Sequence, residues 1–593
     1  MKSLRYINKY LFKYRFRLLL GVLFVGISNY FAVRAITISG GAIDIVKDYI
    51  AKGNQQSAAD KALLLHSLRD EFFLIILWAI ISGVFLFLTR QTIIVLSRLI
   101  EYDMKNEVFE HYQKLDISFY KRNSTGDLMN RISEDISRVR MYTGPALMYI
   151  INTLFSFVFT VYAMRSKDVT LAIGALAPLP FLAISIYYIS DKIYKKSTNV
   201  QEQLSSITAF TQEAFSGIRV LKAYGRETNS IHEFESQSNE YKTRNMQLVK
   251  IEAMFQPFVV GLIGLSIILT VYIGGIQYFK GIISFGTIAT FFLFINRLTW
   301  PFASLGWVTS LIQRAAASQT RINEFLDTQP EIASTSSVND PIKGDIEFRN
   351  VSFTYPDSGI QALHNVSFSI NHGQSLAIIG RTGSGKSTIA NLIGRLYDVD
   401  KGELLIDNKN IKNINLPYLR SQIGYAPQEV FLFSDSISHN IAFSIDQEKH
   451  NEKAIEKAAV DAAIYSNIIS FPDTFQTVVG ERGITLSGGQ KQRISIARAI
   501  IKKPQILLFD DCLSAVDTET EEEILNHLKR LMTDKTTLLI SHRISTVKNA
   551  DKILVLDKGE IVEQGSHKEL IDKQGTYFEL HKMQQLEKEQ ANP

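Results

Sequence analysis

Six apolar stretches crowd the chain before about residue 315, each close to the roughly twenty residues needed to cross a bilayer. They lie near Leu18 to Ile38, Phe72 to Leu96, Pro145 to Met164, Val169 to Ile189, Met254 to Gly275 and Ile283 to Ile312. After them the texture becomes that of an ordinary globular domain. The pattern predicts an all-α membrane domain of six transmembrane helices followed by a soluble domain. An even number of crossings leaves both ends on one side. Lys2, Arg5, Lys9, Lys121, Arg122, Arg131, Lys195, Lys196, Arg219 and Lys222 concentrate in the N-terminus and in segments 97–144 and 190–253, while the other loops carry fewer cations. By the positive-inside rule the termini face the cytoplasm, and a multi-pass protein of the cytoplasmic (inner) membrane is expected.

Both cytoplasmic loops are polar and largely free of Gly and Pro, which argues for helices continuing out of the membrane. About twenty-four residues each way makes roughly 36 Å of helix at 1.5 Å per residue. At the turning points, Phe119 to Asp127 and Thr208 to Gly217 are each expected to form either a short helix that touches the soluble domain or a solvated turn. Residues 3–15 place Leu4, Ile7, Leu11 and Tyr14 on one helical face and Arg5, Lys9 and Lys13 away from it, so an interfacial helix is expected before the first span. A cleaved signal peptide is disfavoured, because no small-residue cleavage site follows and Arg34 interrupts the apolar run. The expected divisions are an elbow helix over 1–16, a membrane domain over 17–320, a linker over 321–343, a soluble domain over 344–580 and a polar tail over 581–593.

In the soluble half, apolar strand-like runs alternate with helical patterns, which predicts an α/β core. One such run, Ser375 to Ile379, leads into Gly380-Arg381-Thr382-Gly383-Ser384-Gly385-Lys386-Ser387-Thr388, which fits G-x-x-x-x-G-K-[ST]. Its glycines let backbone N–H groups wrap a polyphosphate, Lys386 would reach the β- and γ-phosphates, and the Ser387 hydroxyl would sit on Mg²⁺. A second run, Ile506 to Phe509, ends in Asp510, and a carboxylate delivered by a buried strand beside such a loop belongs in the Mg²⁺ shell. The cofactors expected are therefore ATP and Mg. The net charge of +5 is scattered, which disfavours nucleic acid as a partner. The single cysteine, Cys512, cannot form an internal disulfide and reads as a small buried residue.

With Leu486-Ser487-Gly488-Gly489-Gln490 and the following Lys491-Gln492-Arg493, this half resembles the nucleotide-binding domain of ATP-binding cassette (ABC) proteins. The whole chain is similar to a half-size exporter of that superfamily, of the bacterial multidrug or lipid type. The resemblance implies that Tyr355 stacks on adenine, that Gln428 lies near Mg²⁺, that Glu481 belongs to the exporter segment at the coupling helices, that Asp517 is the D-loop carboxylate and that His542 is the switch at the γ-phosphate. It also implies that Ser487, Gly488, Gly489, Gln490 and Asp517 serve ATP held by a second subunit, so a chain with one cassette must dimerise.

Most active cassettes of this family place Glu directly after the strand-end Asp, where it polarises the attacking water; here that residue is Asp511. The carboxylate is one methylene shorter. A positioned general base is worth roughly 10² to 10⁴ in rate, so a weak base is expected. Heterodimeric exporters of the family commonly carry Asp in one half, which implies a partner half-transporter bearing the Glu, with a homodimer of two slow sites as the alternative. Asp511, His542, Gln428 and Lys386 are the expected catalytic set.

Polar residues inside spans are expensive and lean toward function. Asn29, Arg34, Arg90, Asn152, Asn296, Arg297 and Trp300 are the candidates, with Arg34 and Arg90 also able to snorkel to the interfaces. Arg297 lies about fourteen residues, roughly 21 Å, into the last span, and Trp300, Pro301 and Trp307 follow it. The stretch from Arg297 to Ile322 resembles the last span of multidrug-type exporters; a kink at Pro301 beside aromatic residues is expected to shape an adaptable apolar cavity, with ordinary helix packing as the other reading. The resemblance thus implies ATP-driven export of amphipathic, drug-like small molecules by alternating access, with a lipid or lipopolysaccharide flippase as the alternative. A peptide exporter with its own protease is disfavoured by the lack of an N-terminal catalytic Cys, and an ATP-gated channel or sensor by the lack of a large regulatory insertion.

Overall fold

The computed structural model describes residues 2–51, 58–334, 339–446, 451–480, 483, 486–513 and 518–591. These residues form two compact units, one of residues 1–113 with 126–328 and one of residues 114–125 with 329–593. In the first unit, six helical stretches are long and apolar enough to cross a membrane: Arg15–Ala51, Ala59–Lys114, Thr125–Lys167, Val169–Ser216, Glu227–Phe279 and Phe285–Leu326. Hydrocarbon offers the backbone no hydrogen-bond partners, which is why each run closes its bonds within a helix. The sixth helix supplies Phe291, Phe294, Ile295 and Leu298 to a core completed by Leu171, Ala175, Leu182 and Ile186 of the fourth and by Val33, Met164 and Val259 of three others. This helix runs on to Leu326, into the stretch read as linker.

The segment before the first span is a 3-10 turn over Ser3–Ile7 and a helix over Asn8–Lys13. Of its apolar face, Leu4 and Ile7 are buried in the protein, as is Tyr10 beside them, while Leu11 and Tyr14 are half-buried. Polar bonds fix that orientation: the Tyr6 hydroxyl donates to Glu107 at 2.6 Å, Lys9 donates to Glu107 at 2.7 Å, Tyr10 also donates to Glu107, and Lys13 donates to Asp103 at 2.6 Å. Phe12 and Phe16 are the exposed apolar residues instead.

Both turns that the sequence reads as cytoplasmic are helical, in different ways. In the first, Asp116 caps Ile117–Arg122 by accepting the Phe119 N–H at 3.2 Å, and it also accepts the Glu331 N–H at 2.8 Å. Arg122 pairs with Glu331 at 3.1 Å, so residues 114–125 belong to the second unit. In the second, the long helix continues through Ser216, and the short helix comes after Gly217, over Ile218–Ala223. None of its residues is buried.

The second unit contains, among the described residues, β1 (Ile346–Thr354), β2 (Gln361–Ile370), β3 (Ser375–Gly380), β4 (Lys401–Ile406), β5 (Lys409–Asn410), β6 (Ile423–Ala426), β7 (Ile506–Asp510), β8 (Thr536–Ile540), β9 (Lys552–Asp557) and β10 (Glu560–Gly565). One sheet is antiparallel, in the order β2-β1-β4-β5; the other has the order β10-β9-β3-β8-β7-β6 and is parallel from β9 to β6. Every residue of β3, β7 and β8 is buried. Continuous apolar runs are what strands covered on both faces require. Of the stretch read as a polar tail, residues 581–591 belong to a helix, Thr576–Ala591.

A buried charge ties the third of these helical stretches to the sixth. Asp135, 1% exposed, accepts from Arg321 Nε at 3.0 Å and from the Ser318 hydroxyl at 2.8 Å. Arg321→Met strands that carboxylate and is expected to destabilise the unit by about 3 kcal/mol. The check is the melting temperature of the purified protein, which should fall for Arg321→Met and recover in part when Asp135→Asn is added.

Candidate functional site

β3, β8 and β7 run in step, with Ile378 opposite Ile540 and Ile540 opposite Asp510, and β6 follows with Ala426 opposite Phe509. Their C-terminal ends share one sheet edge, where open α/β sheets hold ligands. The loop 380–388 leaves β3 there, His542 follows the end of β8, Asp510 ends β7 with Asp511 next, and Gln428 follows the end of β6. Four separate segments of sequence thus converge.

The loop needs glycine at defined points. A Cβ on Gly380 would lie 2.1 Å from the Leu556 carbonyl oxygen, and Gly385, at φ 100°, would bring one 2.4 Å from the Ala362 oxygen. Arg381, Thr382, Gly383 and Ser384 form the turn, and the helix Lys386–Ile393 starts directly after it, with its free N–H groups toward the loop. The buried Lys386 donates to the carbonyls of Gly380 at 2.9 Å and Arg381 at 2.8 Å. Burial pushes its pKa down to about 8, against the pull of Asp511 and Asp510. The Ser387 hydroxyl donates to Asp510 Oδ1 at 3.0 Å. Burial pushes Asp510 up to about 6; the Ser387 bond and Lys386 oppose that rise and Asp511 adds to it. A buried ammonium beside two carboxylates and a hydroxyl suits a polyphosphate with a hard divalent cation, since each added charge meets one of opposite sign.

Tyr355 packs edge-on against Phe353 and Tyr397, and its hydroxyl lies 2.9 Å from Thr388 Oγ1. Lys121, in the Phe119 to Asp127 segment that the sequence reads as either a short helix touching the soluble domain or a solvated turn, sits with Nζ 4.7 Å from the Tyr355 ring centre. No local pattern pairs a loop near residue 120 with a strand near residue 355. Asp511 occupies the left-handed region at φ 45°, one that Asp tolerates better than most residues, and its N–H donates to the Ile540 carbonyl at 2.8 Å. Gln428 Nε2 lies 3.5 Å from Asp511 Oδ2. Cys512 is buried, and burial raises its thiol well above the ordinary range.

Ser487 caps the helix Gly488–Ile500 in a reciprocal box with Gln490: its hydroxyl accepts the Gln490 N–H, and the Gln490 side chain accepts the Ser487 N–H at 2.9 Å. Ser487 and Gly488 are exposed, with Gly489 and Gln490 half-buried. Glu481 and Asp517 lie outside the described residues.

Among the membrane candidates, Arg297, Asn29 and Asn152 come together. Arg297 Nη2 donates to Asn29 Oδ1 at 2.8 Å, and Asn29 Nδ2 donates to Asn152 Oδ1 at 2.9 Å and to the Val25 carbonyl at 3.0 Å. The buried Nε–H of Arg297 has no protein acceptor, and no carboxylate among the described residues is ion-paired with it. Arg34 lies elsewhere, exposed against the Tyr30 ring, and Arg90, Asn296 and Trp300 are exposed outside the cluster. Pro301 sits inside the continuous last helix, and Trp307 packs edge-on against Tyr149.

A six-helix membrane unit joined to a P-loop ATPase unit defines the class: a polytopic protein that uses ATP at the membrane. Residues 18–302 match the family described as the ABC transporter transmembrane region, and residues 363–514 match the ABC transporter family. An ATP-dependent lipid A-core flippase of Aliivibrio fischeri is 36% identical over 481 residues, covering 81% of this chain and 82% of that protein. A probable multidrug resistance ABC transporter ATP-binding/permease protein of Bacillus subtilis is 35% identical over 493 residues, covering 83% and 84%. The structure of a bacterial Atm1-family ABC exporter with ATP bound aligns with a TM-score of 0.77 at 26% identity, over 96% of this chain and 98% of that one. The chain belongs to the ABC transporter family, as an exporter half with one membrane domain and one cassette. Its cassette binds ATP and couples ATP hydrolysis to transport.

Lys386→Ala removes the one buried cation at the loop. It is expected to weaken ATP binding by about tenfold to a hundredfold, the worth of a charge-assisted hydrogen bond, in equilibrium titration with a fluorescent ATP analogue.

Proposed function

We propose that this exporter moves a lipid-like amphiphile with an anionic headgroup between the leaflets of the cytoplasmic membrane, with both termini on the cytoplasmic side. Arg297 carries the reading: a cation in the last span, bonded to the uncharged amide of Asn29, with an unused buried N–H. Such a charge is costly unless it serves a ligand or a counter-charge. A phosphate or carboxylate would supply both a charge and the missing acceptor. The stretches of the first and third spans that bear Asn29 and Asn152 also line an open apolar groove of about 950 Å³, walled by Leu23, Ile27, Phe31, Phe85 and Phe155. Drug-like amphiphiles, the first expectation from sequence, are the second reading, favoured by the Bacillus subtilis relative; the name of the Aliivibrio fischeri relative favours a lipid at least as well.

In the cassette, Ser387, Asp510 and Gln428 would hold Mg²⁺, which supplies charge neutralisation at the phosphates. Lys386 binds the phosphate chain, Tyr355 stacks on the base, His542 reaches the γ-phosphate and Asp511 takes the proton of the attacking water. Half-transporters of this family generally act as dimers, and the exposed Ser487 and Gly488 suit completion of a partner's ATP site. A partner carrying Glu where this chain has Asp511 explains the shortened base best. His542 and the whole phosphate loop are retained, so nucleotide binding here persists at a slow site.

Two measurements test this reading. Purified protein alone is expected to hydrolyse ATP slowly, and Asp511→Glu to raise its turnover by about tenfold or more; fast turnover by the unmixed wild type rules the partner out. In vesicles, Arg297→Ala should abolish ATPase stimulation by anionic lipids while leaving stimulation by uncharged dyes. Equal stimulation of both forms by anionic lipids removes the headgroup argument.

A further inference from the structure

The segment that carries His542 leaves β8 and is gripped from two sides. On one side, the buried Glu521 accepts from Arg543, from the Ser545 hydroxyl at 3.0 Å and from the Thr546 hydroxyl at 2.6 Å. On the other, Gln584 brackets His542 itself. Its Nε2 donates to the His542 carbonyl at 2.6 Å, and its Oε1 accepts the Ile544 N–H at 2.8 Å. A primary amide donates from its nitrogen and accepts at its oxygen, so one neutral side chain makes both bonds at once. The two bonds span the extended Arg543 backbone, at φ −99° and ψ 129°, and so fix the peptide planes on which the histidine ring is mounted.

Gln584 is itself well anchored. It lies on the helix Thr576–Ala591, one turn beyond Leu580, which packs on the main core of the unit, and two turns beyond the fully buried Tyr577. The Tyr577 hydroxyl lies 2.7 Å from His567 Nδ1. The core therefore holds the helix, and the helix holds the switch.

We propose that Gln584 is a positioning residue for ATP hydrolysis, acting through the backbone of His542; this rests on the reading of His542 as the γ-phosphate switch. A free carbonyl and N–H on either side of Arg543 would let the segment drift, and a misplaced group at the reacting phosphate costs rate far more than it costs binding.

The test uses the full-length protein in lipid nanodiscs, with its own Asp511 and with Asp511→Glu, and is read in whichever background His542→Ala lowers kcat. Gln584→Met keeps the length and loses both bonds; Gln584→Glu keeps the Ile544 bond and cannot donate to His542. Both are expected to lower kcat by about three- to tenfold with KM for ATP within about twofold, the worth of one or two hydrogen bonds. The exposed Lys582→Ala should match its parent. In the His542→Ala background, Gln584→Met should cause no further loss. Parental kcat in both Gln584 variants, a KM that rises in step with the fall in kcat, or full additivity with His542→Ala overturns the proposal and leaves the switch reading standing. Unimpaired turnover of His542→Ala in both backgrounds overturns the switch reading and the proposal together.

Discussion

The in-step ending of β3, β8 and β7 is the arrangement on which the ATPase chemistry depends. Hydrogen bonds between these buried parallel strands set Ile378, Ile540 and Asp510 level with one another. A shift of one residue in any strand would exchange its two faces and carry its terminal residue out of reach of the other two. The phosphate loop, His542 and the two carboxylates therefore need no bonds to each other to be held together. The bonds they do make, Ser387 to Asp510 and the Asp511 N–H to Ile540, tune a placement that the sheet has already made.

Charge is handled differently in the two units. In the cassette, Lys386 and Asp510 are both disfavoured by burial and partly offset each other, and ATP with its metal would complete the balance. In the membrane unit, Arg297 donates to the uncharged amide of Asn29 and, among the described residues, has no ion pair. The first arrangement suits a ligand that brings both signs of charge. The second suits a ligand that brings a negative one.

Much of this was readable along the chain. The six spans were, because hydropathy over roughly twenty residues is a local property and lipid admits few backbone solutions. The phosphate loop was, because Gly380, Gly385 and Lys386 act within one turn of chain. The direction of the elbow's apolar face was not: an amphipathic pattern says that a face is covered, and whether lipid or protein covers it depended on Glu107 and Asp103, about ninety residues away. The late placement of the short helix after Gly217 was missed because nothing in a polar helix marks which turn ends it.

By itself the sequence determined that this protein has six apolar spans and one ATP-binding cassette, and it set Ser487 to Gln490 and Asp511 where the family resemblance implies a role for each, every feature written in a short contiguous stretch. Only the tertiary structure decided which polar membrane residues meet, joining Asn29, Asn152 and Arg297 and leaving Arg34 apart. It also set Gln584, in the stretch read as a tail, on a helix from which it brackets the His542 segment. The physical reason is reach: hydropathy and loop geometry act between neighbours in sequence, whereas a hydrogen bond between residues 29 and 297 or 542 and 584 exists only once packing has brought the backbones together.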